Sequence, residues 1–97
     1  MSILRFRLGQ TVATPAALEA IQQAGQSPAE FLDRHVRGDW GNLSADDRAL
    51  NDEAVQDGSR ILSAYVTRAG EKIWVITEAA DDRGHRSATT ILLPDEY

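Results

Sequence analysis

The sequence contains no cysteine. Disulfides and thiolate zinc sites are thereby excluded. Its apolar runs are short, such as Ile91-Leu92-Leu93, which stops at Pro94. None approaches the roughly 20 apolar residues of a membrane span. The start, Met1-Ser2-Ile3-Leu4-Arg5-Phe6-Arg7-Leu8, lacks the unbroken apolar stretch of about 7–15 residues that a signal peptide needs, because arginines interrupt it. A cytoplasmic protein without membrane contact is the expectation. Basic charge is also in deficit: 10 Lys and Arg stand against 15 Asp and Glu, a net charge of −5. A pI near 4.8 argues against a protein that coats nucleic acid by bulk charge. Repeats and low-complexity tracts are missing. So are a Gly-rich phosphate loop, a nucleophile elbow and the H-x-x-x-H or H-x-x-E-H spacings of metal sites. No cofactor and no metal is implied.

What is present fits one small globular domain over residues 1–97. The apolar fraction of 42% is ordinary for a packed core. Residues 3–8 alternate, with Leu4, Phe6 and Leu8 on one face and Arg5 and Arg7 on the other, which predicts an N-terminal edge strand. Gly9 and Thr11-Val12-Ala13 extend or bend it. Thr14-Pro15 starts a helix whose stripe is Ala17, Leu18, Ile21 and Ala24 and whose stop is Gly25. Ser27, Pro28 and Glu30 form a Ser-x-x-Glu capping box for a second helix, with Phe31, Leu32, His35 and Val36 inward and Gly38 at its end. Ser44 caps a third, with Asp46 and Asp47 suiting its dipole. Leu43, Leu50 and Ala54 give that helix only a thin apolar face. Three strands follow, over 60–67, 72–78 and 87–93. The middle one is apolar on both faces and is expected centrally, covered on both sides. The fold class is α+β: an N-terminal strand, two to three short helices, then a three-stranded antiparallel meander forming one sheet.

The charge is unevenly placed. Residues 30–60 carry −4, and the third helix holds Asp46, Asp47, Asp52, Glu53 and Asp57 against Arg48. This is either a solvated helix face or a surface for a basic partner. Beside it lies the turn Gly38-Asp39-Trp40-Gly41. Trp40 is either an aromatic plug locking the corner or an interface anchor. Asn51-Asp52 is placed to hydrogen-bond this corner. The candidate partner-binding set is Trp40, Asp46, Asp47, Asp52 and Glu53.

Catalytic candidates are sparse. His35 sits on an apolar stripe, where a histidine is ordinarily packed. His85 lies in the loop Asp81-Asp82-Arg83-Gly84-His85-Arg86. Glu78, His85, Arg60 and Arg86 fall near one end of the expected sheet. A carboxylate base, a histidine acid and arginines on a phosphate are what metal-free RNA cleavage needs. Two functions follow: a non-catalytic module that binds an unidentified protein, or a small ribonuclease using those four residues. Self-association would run through the edge of the first or last strand, giving a monomer or weak homodimer.

Gly38-Asp39-Trp40-Gly41, Asp47, Asn51-Asp52, Ser59-Arg60-Ile61-Leu62-Ser63-Ala64-Tyr65, Ile73-Trp74-Val75-Ile76-Thr77-Glu78 and Thr89-Thr90-Ile91-Leu92-Leu93-Pro94 together resemble a group of short, uncharacterised bacterial proteins. The Ala13-Thr14-Pro15 helix start fits as well, so the likeness spans nearly the whole chain. Such proteins occur widely on plasmids and genomic islands. Some are labelled plasmid-related and others type I restriction subunit M. This chain has neither the length nor the Gly-rich and Asn-Pro-Pro-type motifs of a methyltransferase. The resemblance implies a genomic context on mobile DNA and not a reaction, and it supplies no catalytic residues. It also implies that the 79–86 insert is longer here than in many relatives, which weakens His85 as a catalytic residue. In outline, helices before an antiparallel sheet with a late histidine are also similar to small microbial ribonucleases and related toxins.

Overall fold

The structure, a computed structural model, describes residues 4–97. Among these residues the chain forms three α-helices and one four-stranded mixed sheet, so the α+β class stands. The elements are β1 (Gln10–Ala13), α1 (Pro15–Gln23), α2 (Pro28–Val36), α3 (Ala45–Asp57), β2 (Ile61–Val66), β3 (Lys72–Thr77) and β4 (Ala88–Leu92), then a single 3-10 turn, Pro94–Glu96. The strand order is β1-β4-β3-β2. β2–β3 and β3–β4 are antiparallel, as a meander requires. β1 adds a fourth strand, parallel to β4, with Gln10 opposite Ala88.

The N-terminal strand is not where the alternation placed it. Residues 4–9 form no strand, and Ile3, the first residue of the expected one, lies outside the described residues. The period of two holds only at Phe6 and Leu8, where it serves packing, whereas Leu4 is 64% exposed. Phe6 and Leu8 turn inward, and the Arg5 N–H donates to the carbonyl of Val36, in a helix, at 2.9 Å. At Gly9 the backbone adopts φ +67° and passes so close to the carbonyls of Arg86 and Ser87 that a Cβ would collide with them. Past this bend the ladder begins, with Gln10 N donating to Ser87 O at 3.0 Å.

Helix starts follow local chemistry. The Thr14 hydroxyl accepts from Ala17 N, and that of Ser44 accepts from Asp47 N. The expected capping box of α2 does not form. Ser27 makes no side-chain cap, and the Glu30 carboxylate instead accepts from Gln26 Nε2 at 2.6 Å.

α1 and α2 pack on one face of the sheet. Ala17, Ile21 and Phe31 meet Tyr65, Ile73, Val75 and Ile91 there. A second cluster (Trp40, Ala54 and Ile61, joined by Phe6, Leu43 and Val55) fills the corner by β2. The opposite face presents Leu62, Ala64, Trp74, Ile76 and Leu92 by alternation. β3 is interior, as expected, and its second face is buried at Ile76, 4% exposed, though α1 and α2 pack on the other face. The flank of α3 and the last residues of the chain border that second face. No helix of the described residues is long and apolar enough to cross a membrane.

Candidate functional site

The buried histidine comes first, because a histidine beside a serine suggests chemistry. α2 carries His35 onto the inner face of the sheet, fully buried. Nδ1 lies 2.5 Å from Ser63 Oγ and Nε2 lies 2.8 Å from Thr77 Oγ1. Thr77 Oγ1 is 2.7 Å from Thr89 Oγ1, which donates to Leu8 O. Each hydroxyl has one proton, so the directions are determined. Thr89 spends its proton on Leu8, so Thr77 donates to Thr89, His35 Nε2–H donates to Thr77, and Ser63 donates to Nδ1. The ring is neutral and every partner is used. Burial, with the nearby Arg86 charge, lowers the His35 pKa to about 3. This ladder joins α2 to three strands. It is closed to substrate.

Arg86 is likewise internal. It is 5% exposed, and its guanidinium donates to the carbonyls of Ser59, Glu78 and Ala54 at 2.8, 3.0 and 2.8 Å. Ala54 O belongs to the last turns of α3, where a cation complements the helix dipole. Its ribonuclease role, binding phosphate, is therefore unsupported: the side chain is committed to backbone. The other three candidates are exposed. The register that pairs Ile61 with Thr77 brings Arg60 and Glu78 to one end of the sheet. His85 sits in the turn that follows, held by its own N–H to Asp81 Oδ1. The Arg60 guanidinium lies 5.3 Å from the centre of the Tyr97 ring.

The Trp40 corner is structural. The indole is 4% exposed, and its N–H donates to Asp52 Oδ1 at 3.1 Å. Arg5 reaches the same oxygen at 3.0 Å. The Trp40 and Arg5 bonds hold the Asp52 carboxyl below the usual carboxylate range. Trp40 also stacks on Phe6, with centroids 6.1 Å apart. Gly41, at φ +76°, lets the chain approach β2 so closely that a Cβ would strike Ala64 O. Asn42 N then donates to Ala64 O, and Ala64 N donates to Trp40 O. Asn51 completes the seal: its amide donates to Leu62 O at 2.7 Å and accepts from Leu62 N at 3.2 Å. Of the candidate partner-binding residues, Trp40 and Asp52 thus lock a corner together.

Asp46, Asp47 and Glu53 lie apart from that corner, exposed on α3. Asp46, Leu50, Glu53 and Asp57 follow the i, i+4, i+7, i+11 spacing of one helix flank. Leu50 is 60% exposed. Between this flank and the outer face of the sheet runs a groove of about 370 Å³, lined by Leu43, Asp47, Leu50, Asn51, Arg60, Leu62 and Trp74. Leu62 and Trp74 were absent from the sequence-based candidates. A signal for them existed: α1 and α2 each carry one apolar stripe and α3 only a thin one, too little helix surface to cover both faces of an apolar sheet. Compared with protein-family models, curated proteins and solved structures, the chain matches none.

Proposed function

We propose that this chain is a non-catalytic protein-interaction module that serves mobile DNA in a bacterial cytoplasm. The observation that carries the binding function is the open groove beside α3. There an exposed leucine and a half-buried tryptophan sit in contact with solvent, next to Asp47 and other α3 acids that form no ion pair among the described residues. The link to mobile DNA rests on the resemblance to plasmid- and island-borne proteins. The alternative, a metal-free ribonuclease using Glu78, His85, Arg60 and Arg86, loses support because Arg86 faces inward and is bonded to three carbonyls.

The test is site-specific crosslinking in a native host. A photo-crosslinking residue at Leu50 should capture one protein, whereas the same residue at Glu19, exposed on α1, should not. The captured protein, once purified, should bind the wild-type chain in calorimetry and fail to bind Leu50→Asp. Equal capture from both positions, or RNA cleavage in EDTA that His85→Ala abolishes, would overturn the proposal.

A further inference from the structure

We infer that the groove between α3 and the outer face of the sheet receives a basic, amphipathic segment of a partner protein, which seats one bulky apolar side chain over Trp74. This rests on the interaction-module proposal and names the chemistry of the partner. Leu43, Leu62 and Trp74 form an apolar floor, and Leu50 forms part of the wall. Such a floor takes an aliphatic or aromatic anchor.

Charge selects the rest of the occupant. Among the described residues, Asp46, Asp47, Glu53 and Asp57 form no ion pair. Arg60, the cation on the lining, is stacked on Tyr97. The α3 wall is therefore negative at Asp46, Asp47 and Glu53, while Asp57 feels the Arg86 charge at the end of the helix. Its pattern is not explained by helix stability. Asp46 and Asp47 suit the N-terminal end, but Glu53 lies in the C-terminal half, where the dipole disfavours an acid, and the last turn carries no base. Asp57 has a local task, accepting from Ser59 N, whereas Glu53 makes no hydrogen bond among the described residues. A nucleic-acid occupant is repelled by this wall. A second copy of the chain would bring another net −5 and the same acidic wall. A cationic segment with an apolar face satisfies both floor and wall.

The experiment titrates the isotope-labelled intact chain with a helical peptide of leucine and lysine, using a leucine–glutamate peptide as the control. The expected shifts fall on the amides of Leu43, Asp47, Leu50 and Leu62 and on the Trp74 indole. Binding should weaken about tenfold between low and high salt. It should weaken several-fold in the double variant Asp46→Asn/Glu53→Gln and be lost in Leu50→Asp. Leu50→Ala, which adds no charge, should weaken it less. Three results would overturn the inference: shifts scattered over the surface, equal binding of the acidic peptide, or broadening of the same amides with protein concentration alone, which would make a second copy the occupant. If the basic peptide fails while the protein crosslinked at Leu50 binds the groove independently of salt, the partner chemistry is wrong and the interaction module stands. If neither binds, both fall.

Discussion

At the scale of single residues, the polar core is where stability and pH are coupled. His35 donates one proton and accepts another within a ladder that leaves no acceptor for a second imidazole proton. Its pKa is about 3 in the folded chain, against 6.5 for an ordinary histidine. The unfolded chain therefore binds the extra proton first as pH falls. The stability due to neutral His35 is complete above about pH 6.5 and declines between 6.5 and 3. Between pH 7 and pH 5 the loss should be about 2 kcal/mol. Between pH 7 and pH 5 carboxylates such as Asp39 and Asp52 add little: they are lowered from 3.8 in the fold, so the stability they contribute is present above that value and is lost only below it. Urea midpoints at the two pH values measure the effect. His35→Gln, which keeps a donor and an acceptor, should be nearly flat over the same window. An equal pH slope in both chains would show that His35 is not the source. The burial of His35 was legible from the apolar stripe of α2. Its partners were not, because Ser63, Thr77 and Thr89 come together only through the register of three strands.

At the scale of elements, the edges of the sheet decide whether the chain stays single. β4, the last strand, is interior, so it offers no edge for self-association. The outer edge of β2 is closed twice, by the Trp40–Asn42 backbone at Ala64 and by the Asn51 amide at Leu62. Among the described residues, the four-residue β1 keeps an edge without a strand partner. Asn51→Ala should leave both polar groups of Leu62 without their protein partners. The expected cost is about 2–3 kcal/mol in a denaturant titration, with greater light scattering at high protein concentration from the opened edge. Asn51→Asp should be worse, since it sets a carboxylate against the Leu62 carbonyl. An unchanged midpoint in Asn51→Ala would mean that water satisfies Leu62 as well as the amide does. The later strands were legible because each is an apolar run bounded by turn residues. The first was misplaced by several residues because Phe6 and Leu8 alternate as strand residues do. What turns them from the ladder is the tight passage at Gly9, a contact with residues 86 and 87 that local pattern cannot show.

At the scale of the whole molecule, the sheet has one face under α1 and α2 and a second face that is buried at Ile76 and Leu92 and half-buried at Leu62, Ala64 and Trp74, where the chain's last residues add cover. Glu96 joins the two layers: its carboxylate accepts from Leu93 N at 2.9 Å and from the Thr14 hydroxyl, 82 positions away, at 2.6 Å. This sets Tyr97 against Trp74, with ring centroids 5.6 Å apart and planes at 66°. The −4 over residues 30–60 lies on the side of the molecule where the groove beside α3 opens, but Trp74 and Leu62 were not legible as its lining, because strand alternation alone does not show where along a buried strand the cover stops. Tyr97 is 63% exposed, so its removal should cost little, about 0.5–1 kcal/mol for an edge-to-face pair. Its optical consequence should be larger. Trp40 is 4% exposed and gives a constant, shielded background. Trp74 loses its cover when Tyr97→Ala removes the ring. Emission should shift to the red and acrylamide quenching should rise, with the increase confined to one of the two tryptophans. Trp40→Phe with Tyr97→Ala should show the same shift without the background. Quenching that does not change would mean that Tyr97 leaves Trp74 as open in the wild-type chain as in the variant, and that the ring contact gives the indole no cover.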